Sequence, residues 1–253
     1  NDAASSQAAQ TRTTISMIEL STRKPFANGG NRLCFIDPAD NSRCIKVARP
    51  GFSPAEKRAR KGFPKRLKPL NSFNDNLVEF NVLSDIHARL GDEVLSLIPA
   101  CYGMVDTDLG PGISTNLVTD ADGKISLTMT QFIWEQGLTE EISRSIEVFC
   151  QRWLALAVPS RDILLHNTVV KQAADGSCQL VVIDGLGWSD MIPFAKLSSA
   201  LARFKARRKI ANFRARIEHL LAEHKAGGSW GIHGFIDPEK RELNSNESGD
   251  SHQ

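Results

Sequence analysis

Residues 158–187 read VPSRDILLHNTVVKQAADGSCQLVVIDGLG. Two runs of β-formers, Thr168-Val169-Val170 and Leu180-Val181-Val182-Ile183, flank a turn at Ala174-Asp175-Gly176-Ser177. Apolar β-branched runs around Asp-Gly predict a hairpin. That hairpin brings Asn167, just before one strand, close to Asp184, just after the other. Asp162 lies five residues before Asn167 in the preceding polar loop. Two carboxylates and an amide oxygen then converge at one end of a small sheet. Hard Mg²⁺ takes such oxygen ligands, usually one or two from protein and the rest from phosphate and water. A solvated hairpin with polar ends would contain the same residues, so the flanking chain has to decide between them.

The order Arg161-Asp162, Asn167, strand, turn, strand, Asp184-Gly185 resembles the catalytic loop and metal-binding Asp of protein kinases. Ser160 stands where that pattern carries His, and Asp184-Gly185-Leu186 departs from D-F-G.

Composition sets the frame. The chain has 253 residues, 41% of them hydrophobic and 24% charged, which fits one large globular domain or two lobes sharing a cleft. Its 31 basic and 29 acidic residues leave a net charge of +2, a balance that does not point to nucleic acid. No apolar run approaches the ~20 residues of a membrane span. Cys34, Cys44, Cys101, Cys150 and Cys178 form no C-x-x-C pair, which argues for reduced thiols, a cytoplasmic location and no zinc. The six histidines show no metal-ligand spacing.

Upstream, residues 1–16 are small and polar and read as a disordered extension or an added expression segment, with Met17 a candidate start. A short strand at Met17–Leu20, a strand at Arg32–Ile36 and another at Arg43–Ala48 are separated by turns at Ala27–Asn31 and Asp37–Asn41. Gly29-Gly30 could let backbone N–H groups approach phosphate, although tight hairpins use Gly-Gly equally often. In the third strand Ile45 and Val47 face one side and Lys46 the other. Residues 49–71 are rich in Pro and Gly and carry seven Lys or Arg between 57 and 68; they read as a basic, mobile insertion. Ser72–Leu90 is predicted helical, with Ser72 and Asp75 as a capping box and Gly91 as the stop. Leu83, Ile86 and Leu90 share a stripe that also turns Glu79 inward. An inward Glu requires a cation, and Lys46 is the candidate.

Ile98–Val105 reads as a strand and Asp106–Gly112 as a turn. Ser114–Thr119 and Ile125–Phe132 are predicted to form a hairpin around Asp120–Lys124, leading into a linker at Ile133–Gly137. Leu138–Leu156 is predicted helical, capped by Thr139, with Ile142, Ile146, Phe149 and Trp153 on one face.

From Met17 to about Ile192 the chain resembles the YrbL family, bacterial protein-kinase-like proteins associated with the PhoP regulatory network. CIKVARPG around Lys46, VEF around Glu79, IPACYGMVDTDLGPG, DGKISLTMTQF and the hairpin ending at Asp184 carry the resemblance. It implies an α+β, protein-kinase-like two-lobed fold. Residues 17–134 would form a small antiparallel N-lobe sheet with one inward helix and the basic insertion at 49–71. Residues 135–240 would form a reduced helical C-lobe, and 241–253 a polar tail. It also implies ATP and Mg²⁺ in the cleft: Gly29, Gly30, Lys46, Gln131 and Phe132 toward nucleotide, with 133–137 as the hinge. Asn167 and Asp184 would hold metal, Glu79 would hold Lys46, and Asp162 would be the catalytic base.

Two departures shape the functional expectation. The Gly29-Gly30 turn lacks the three-glycine kinase pattern, and no activation segment or A-P-E follows Asp184, the chain passing through Met191-Ile192-Pro193 into a helix near Ala195. A kinase without a peptide-positioning segment is expected to phosphorylate a hydroxyl on a small molecule or sugar, and the loop is also similar to that of lipopolysaccharide sugar kinases. The alternative is a pseudokinase, binding nucleotide or a partner without turnover. Residues 196–216 hold eight Lys or Arg and no acid. They read as a basic amphipathic helix or pair with Leu197, Leu201, Phe204, Phe213 and Ile217 inward, either a solvated face or a dock for an anionic partner. Trp230–Ile236 is expected to fold back.

Overall fold

A computed structural model of the chain describes residues 17–188, 198–229 and 234–243. It is a mixed α+β fold built on two antiparallel sheets. The first comprises β1 (Ala27–Asn28), β2 (Arg32–Asp37), β3 (Asp40–Ala48), β4 (Cys101–Thr107) and β5 (Gly110–Asn116), in the spatial order β1-β2-β3-β5-β4. Strand alternation sorts β2 and β3 into two faces. Phe35, Ile45 and Val47 pack with Leu20 on one. Cys34 stands opposite Lys46 and Ile36 opposite Cys44 on the other, and this face looks toward the second sheet.

The predicted turn at 106–112 shrinks to Asp108-Leu109, because Gly110–Asn116 is already strand, registered from Thr107↔Gly110. The predicted strand at Met17–Leu20 is a single bridge, Ile18↔Thr107. The insertion at 49–71 carries regular structure. Helix α1 (Pro54–Ala59) is started by a Ser53–Glu56 capping box, and Lys57 forms an ion pair with Asp75 that ties it to the next helix.

That helix, α2 (Asp75–Leu90), starts later than expected. Ser72 lies in a 3-10 turn and donates to the Pro69 carbonyl at 2.7 Å. The cap is Asn74, whose Oδ1 accepts from the backbone N–H of Asn76 and Leu77 at 3.1 and 3.2 Å. Leu83 and Ile86 are buried as the stripe predicted.

The larger correction concerns residues 125–137. The turn at 120–124 forms, with Asp120 N–H donating to the Lys124 carbonyl at 2.8 Å and one bridge, Thr119↔Ile125. Its two sides then part. Residues 114–116 stay in β5, whereas β6 (Leu127–Thr128) joins the second sheet beside β7 (Thr168–Gln172) and β8 (Cys178–Val182). Met129–Gln136 is helix α3, capped by Thr128 and stopped at Gly137. Met129, Phe132 and Ile133 lie at i, i+3 and i+4, a helical spacing hidden among β-branched neighbours. The division between the two sheets therefore falls between Asn116 and Leu127.

Helix α4 (Glu140–Leu156) forms as expected, with Thr139 accepting from Ile142 N–H at 3.3 Å and Ile142, Ile146, Phe149 and Trp153 buried. Residues 199–225 form one long helix, α5 (Ser199–Lys225). Its buried stripe is Ala206, Ile210, Phe213, Ile217 and Leu220, while Phe204 is exposed, against expectation. Phe213 meets Phe149 with ring centroids 5.5 Å apart, locking α5 to α4. The predicted helix start near Ala195 and the contact of Leu197 lie outside the described residues, as do 1–16, Trp230–His233 and 244–253. Of the predicted polar tail, Arg241–Leu243 is packed: Arg241 pairs with Asp120 and Leu243 lies against the apolar cluster of Ile36, Cys44, Leu117, Ile125 and Ile236. Among the described residues no helix is long and apolar enough to cross a membrane.

Candidate functional site

A cleft of about 460 Å³ opens between the two sheets. Lys46 and Glu79, predicted to pair, do so: Lys46 Nζ lies 2.7 Å from Glu79 Oε1. The same ammonium donates to the Ile183 carbonyl at 2.9 Å, which fixes the head of β3 against the end of β8, next to Asp184. Burial works against the Lys46 charge, yet Glu79 and Asp184 raise its pKa above the ordinary lysine value.

A residue absent from the sequence reading completes this network. Arg32, on the same face of β2 as Cys34, bonds Glu79 through Nη1 and Asp184 Oδ2 through Nη2, the latter at 2.7 Å. Burial opposes the ionised form of Asp184, but Arg32 and Lys46, with a 2.6 Å bond from Gly185 N–H, hold its carboxyl below the usual carboxylate range. Two cations and two anions thus neutralise one another around the cleft. Residues 32, 34 and 36 share a strand face, but it is the cross-strand register, with Cys34 opposite Lys46, that brings Arg32 to the network.

The hairpin predicted from 158–187 is present, with Thr168↔Val182 and Val170↔Leu180 in register. Ile183 N–H donates to the Asn167 carbonyl at 2.8 Å, and Arg161 N–H to the Gly185 carbonyl at 2.8 Å. Gly185 has φ +81, and a Cβ there would meet the Asp162 carbonyl oxygen at 3.0 Å and stand 3.6 Å from Asn167 Nδ2. Glycine at 185 therefore lets the loop, the amide and the strand end close on one another.

Asp162 faces a second unpredicted arginine. Arg216 of α5 places Nη2 2.6 Å from Asp162 Oδ2 and Nη1 3.3 Å from Oδ1, a two-pronged grip. Lys209 bonds the Arg161 carbonyl and Arg214 reaches Glu147 at 2.5 Å, so part of the basic face of α5 is engaged with the protein rather than with solvent.

Gly29 and Gly30 do line the cleft, their carbonyls braced by Arg49 Nη1 at 3.1 and 3.4 Å. Gln131 and Phe132 do not. Both lie in α3, nearly sealed from solvent, and Gln131 bonds Glu135 and Ile236. The predicted hinge at 133–137 is likewise the end of α3 and its Gly137 stop. The corresponding edge of the cleft is formed instead by Asn116, Leu117 and Val118, where the chain leaves β5. Deeper in, Cys34, Cys44, Val169 and Ile183 supply apolar walls. The Cys34 thiol is drawn down to about 7, chiefly by a hydrogen bond from Cys44, against the effect of burial and with help from Lys46 and Arg32.

Metal chemistry can be tested on the donor set. Among the described residues no three His, Cys, Asp or Glu side chains cluster to hold an ion by themselves. One carboxylate, Asp184, and one amide, Asn167, are what Mg²⁺ uses when phosphate and water fill the rest of its shell.

The fold and site thus define a mixed α+β protein with a charged cleft walled by two antiparallel sheets. The model of the PhoP regulatory network protein YrbL family matches residues 18–218, and the chain belongs to that family. It is similar to the uncharacterized protein YrbL of Escherichia coli (strain K12), 28% identical over 190 residues, 72% of this chain and 79% of that protein. The uncharacterized protein YrbL of Shigella flexneri matches to the same extent.

Proposed function

We propose that the protein is an ATP- and Mg²⁺-dependent phosphotransferase with a protein-kinase-like two-lobed architecture, acting on a hydroxyl of a small molecule or sugar. The observation that carries this reading is the buried Lys46–Glu79 pair bonded to the main chain beside Asp184. These residues come from three distant stretches of chain and meet at one cleft, which a solvated hairpin with polar ends would not require. Lys46 would orient the phosphates, and Gly29-Gly30 would lie over them. Asp184 and Asn167 would hold Mg²⁺, which when bound neutralises phosphate charge. Asp162 would accept the proton of the attacking hydroxyl, with Arg216 orienting its carboxylate.

A second reading, a pseudokinase that binds nucleotide or a partner without turnover, is favoured by the arginines on both functional carboxylates. Arg32 competes with metal for Asp184, and Arg216 competes with an acceptor for Asp162.

Calorimetry and an ATP-turnover assay with Mg²⁺ on the full chain separate the two. On the enzyme reading Asp184→Asn remains folded but loses Mg²⁺-dependent nucleotide binding, and Asp162→Ala binds nucleotide but loses turnover. Binding without turnover across a panel of sugar and small-molecule acceptors would favour the pseudokinase. Unchanged Mg²⁺·ATP affinity in Asp184→Asn would remove that residue from the metal site.

A further inference from the structure

The outer edge of the cleft is closed by a segment that sequence reading assigned partly to a tail. Residues 234–243 return from beyond α5 and are tied down along their length. Thr128 Oγ1 donates to the Gly234 carbonyl at 2.7 Å. The Gln131 side chain clips Ile236 from both sides, Nε2 donating to its carbonyl at 3.1 Å and Oε1 accepting from its N–H at 3.0 Å. Ile125 N–H donates to the Arg241 carbonyl at 2.9 Å, and the Arg241 guanidinium returns bonds to Ile125 O at 2.9 Å and Asp120 Oδ2 at 3.0 Å. Ile236, 5% exposed, joins Ile36, Cys44, Leu117 and Ile125 in one apolar cluster.

The strap also rests on the loop that carries the candidate catalytic residues. Gly234 has φ +80, and a Cβ there would lie 2.5 Å from His166 Cβ and 3.0 Å from His166 Cα. Real contacts do not come that close, so only glycine lets the strap seat beside Asn167. Between the pinned Gly234 and the buried Ile236, Phe235 keeps 49% of its surface exposed and lines the cleft. A fully buried Phe side chain is worth ~1.5–3 kcal/mol relative to an exposed one. A strap fixed on both sides of a half-open aromatic ring presents that ring to whatever enters the cleft. Across the same space stand Phe26, Leu117, Val118, Val169 and Ile183. The walls are apolar, unlike the charged end at Lys46, Arg32 and Asp184. A ligand matching both ends has a planar apolar-faced ring at one end and phosphate at the other.

We propose that Phe235, held by the 234–243 strap, completes the base end of the cleft and covers the ring of a bound nucleotide, so that the C-terminal chain is part of the ligand site. This rests on the nucleotide-binding reading above and adds to it the residue that senses the base.

Calorimetric titration of the full chain with Mg²⁺·ATP and with Mg²⁺·tripolyphosphate tests it. Base–aromatic stacking is worth about a factor of ten or more in affinity, so Phe235→Ala should weaken ATP by about tenfold and leave tripolyphosphate unchanged. Phe235→Trp should retain or tighten ATP. Gly234→Ala, which unseats the strap from His166, should weaken ATP as Phe235→Ala does. Unchanged ATP affinity in Phe235→Ala overturns the proposal while leaving nucleotide binding intact. Tighter ATP binding in that variant overturns it too, because the ring would then occupy the base position. Equal weakening of ATP and tripolyphosphate overturns it in favour of a general loss of cleft structure. A wild-type chain that binds neither ligand overturns the nucleotide reading itself.

Discussion

Asp184 and Asp162 are each held by an arginine, and the two contacts differ in kind. Asp184 belongs to a four-charge network whose other members are nearly sealed: Arg32 and Glu79 side chains are 12% exposed and Lys46 8%. Asp162 meets Arg216 where both retain about a third of their surface, 30% and 34%. In the first setting low dielectric strengthens each attraction and makes each unpaired charge costly. In the second, water and salt screen the pair and leave it worth ~0–1 kcal/mol. The network around Lys46 is therefore part of the fold, whereas the Asp162–Arg216 contact is a latch that opens cheaply. Such a pair can orient a carboxylate while leaving it within reach of solvent.

The contrast predicts its largest effect at Glu79, whose two carboxylate oxygens bond Lys46 and Arg32. Glu79→Gln leaves two buried cations short of an anion, at a cost on the order of 3–5 kcal/mol. For a chain of this size each kcal/mol moves the melting point by roughly 2–4 °C, so a fall of about 10 °C is expected in a thermal melt. A melting point within ~2 °C of wild type would show that the network is not buried in solution.

Lys46→Met should be milder, because Glu79 keeps Arg32. Its main effect is on ligand response. On the proposed nucleotide-binding reading a hundredfold excess of nucleotide over Kd should stabilise the wild type by about 2.7 kcal/mol, and the variant should lose that upward shift while remaining folded. A variant that still shifts with Mg²⁺·ATP would take Lys46 out of the phosphate site.

These two predictions rest on residues that the sequence exposes, and the reason is physical. Lys46 interrupts an apolar strand and Glu79 sits on an apolar helix stripe, so each is conspicuous against its own local period. The hairpin from Thr168 to Val182 was legible for the same reason. Arg32 was not, since it opens its strand beside a Gly-rich turn and its role depends on cross-strand register. Arg216 is separated from Asp162 by 54 residues, and one more cation in a basic helix carries no local mark. At 125–132, β-branched Thr and Ile masked the helical spacing of Met129, Phe132 and Ile133, and Gln131 and Phe132 were placed in the cleft as a result. At 234–243 the fold-back of Gly234–Ile236 was expected, but the packed continuation to Leu243 was hidden by polar composition, because the bonds of Arg241 to Ile125 and Asp120 hold it rather than a long apolar run.

Acid should act on the network through Asp184, its most exposed member at 40%. The Asp184 carboxyl is held below its ordinary range. Its ionised form therefore contributes stability that is complete above about pH 4 and is lost as pH falls through the lower folded value. Asp184→Asn removes this contribution, so the melting-point gap between wild type and variant should narrow between about pH 5 and pH 2. A gap that stays constant across that window would mean that Arg32 does not bias the ionisation.

The smallest stability effect is expected at the latch, and there salt tells the two regions apart. Arg216→Ala should lower the melting point by no more than about 1–3 °C, since the pair is worth ~0–1 kcal/mol. On the proposed phosphotransferase reading its consequence lies in turnover: an Asp162 carboxylate released from its grip would be less often oriented toward the acceptor, so turnover should fall while nucleotide affinity holds. Raising ionic strength from about 0.15 M to 1 M shortens the screening length from ~8 to ~3 Å. Screening at that length loosens a half-exposed ion pair but reaches a sealed network poorly. The turnover advantage of wild type over Arg216→Ala should therefore shrink at 1 M salt, while the melting-point deficit of Glu79→Gln persists. If salt instead erased the Glu79 deficit and left the Arg216 advantage untouched, the buried and exposed roles assigned to the two arginines would have to be exchanged.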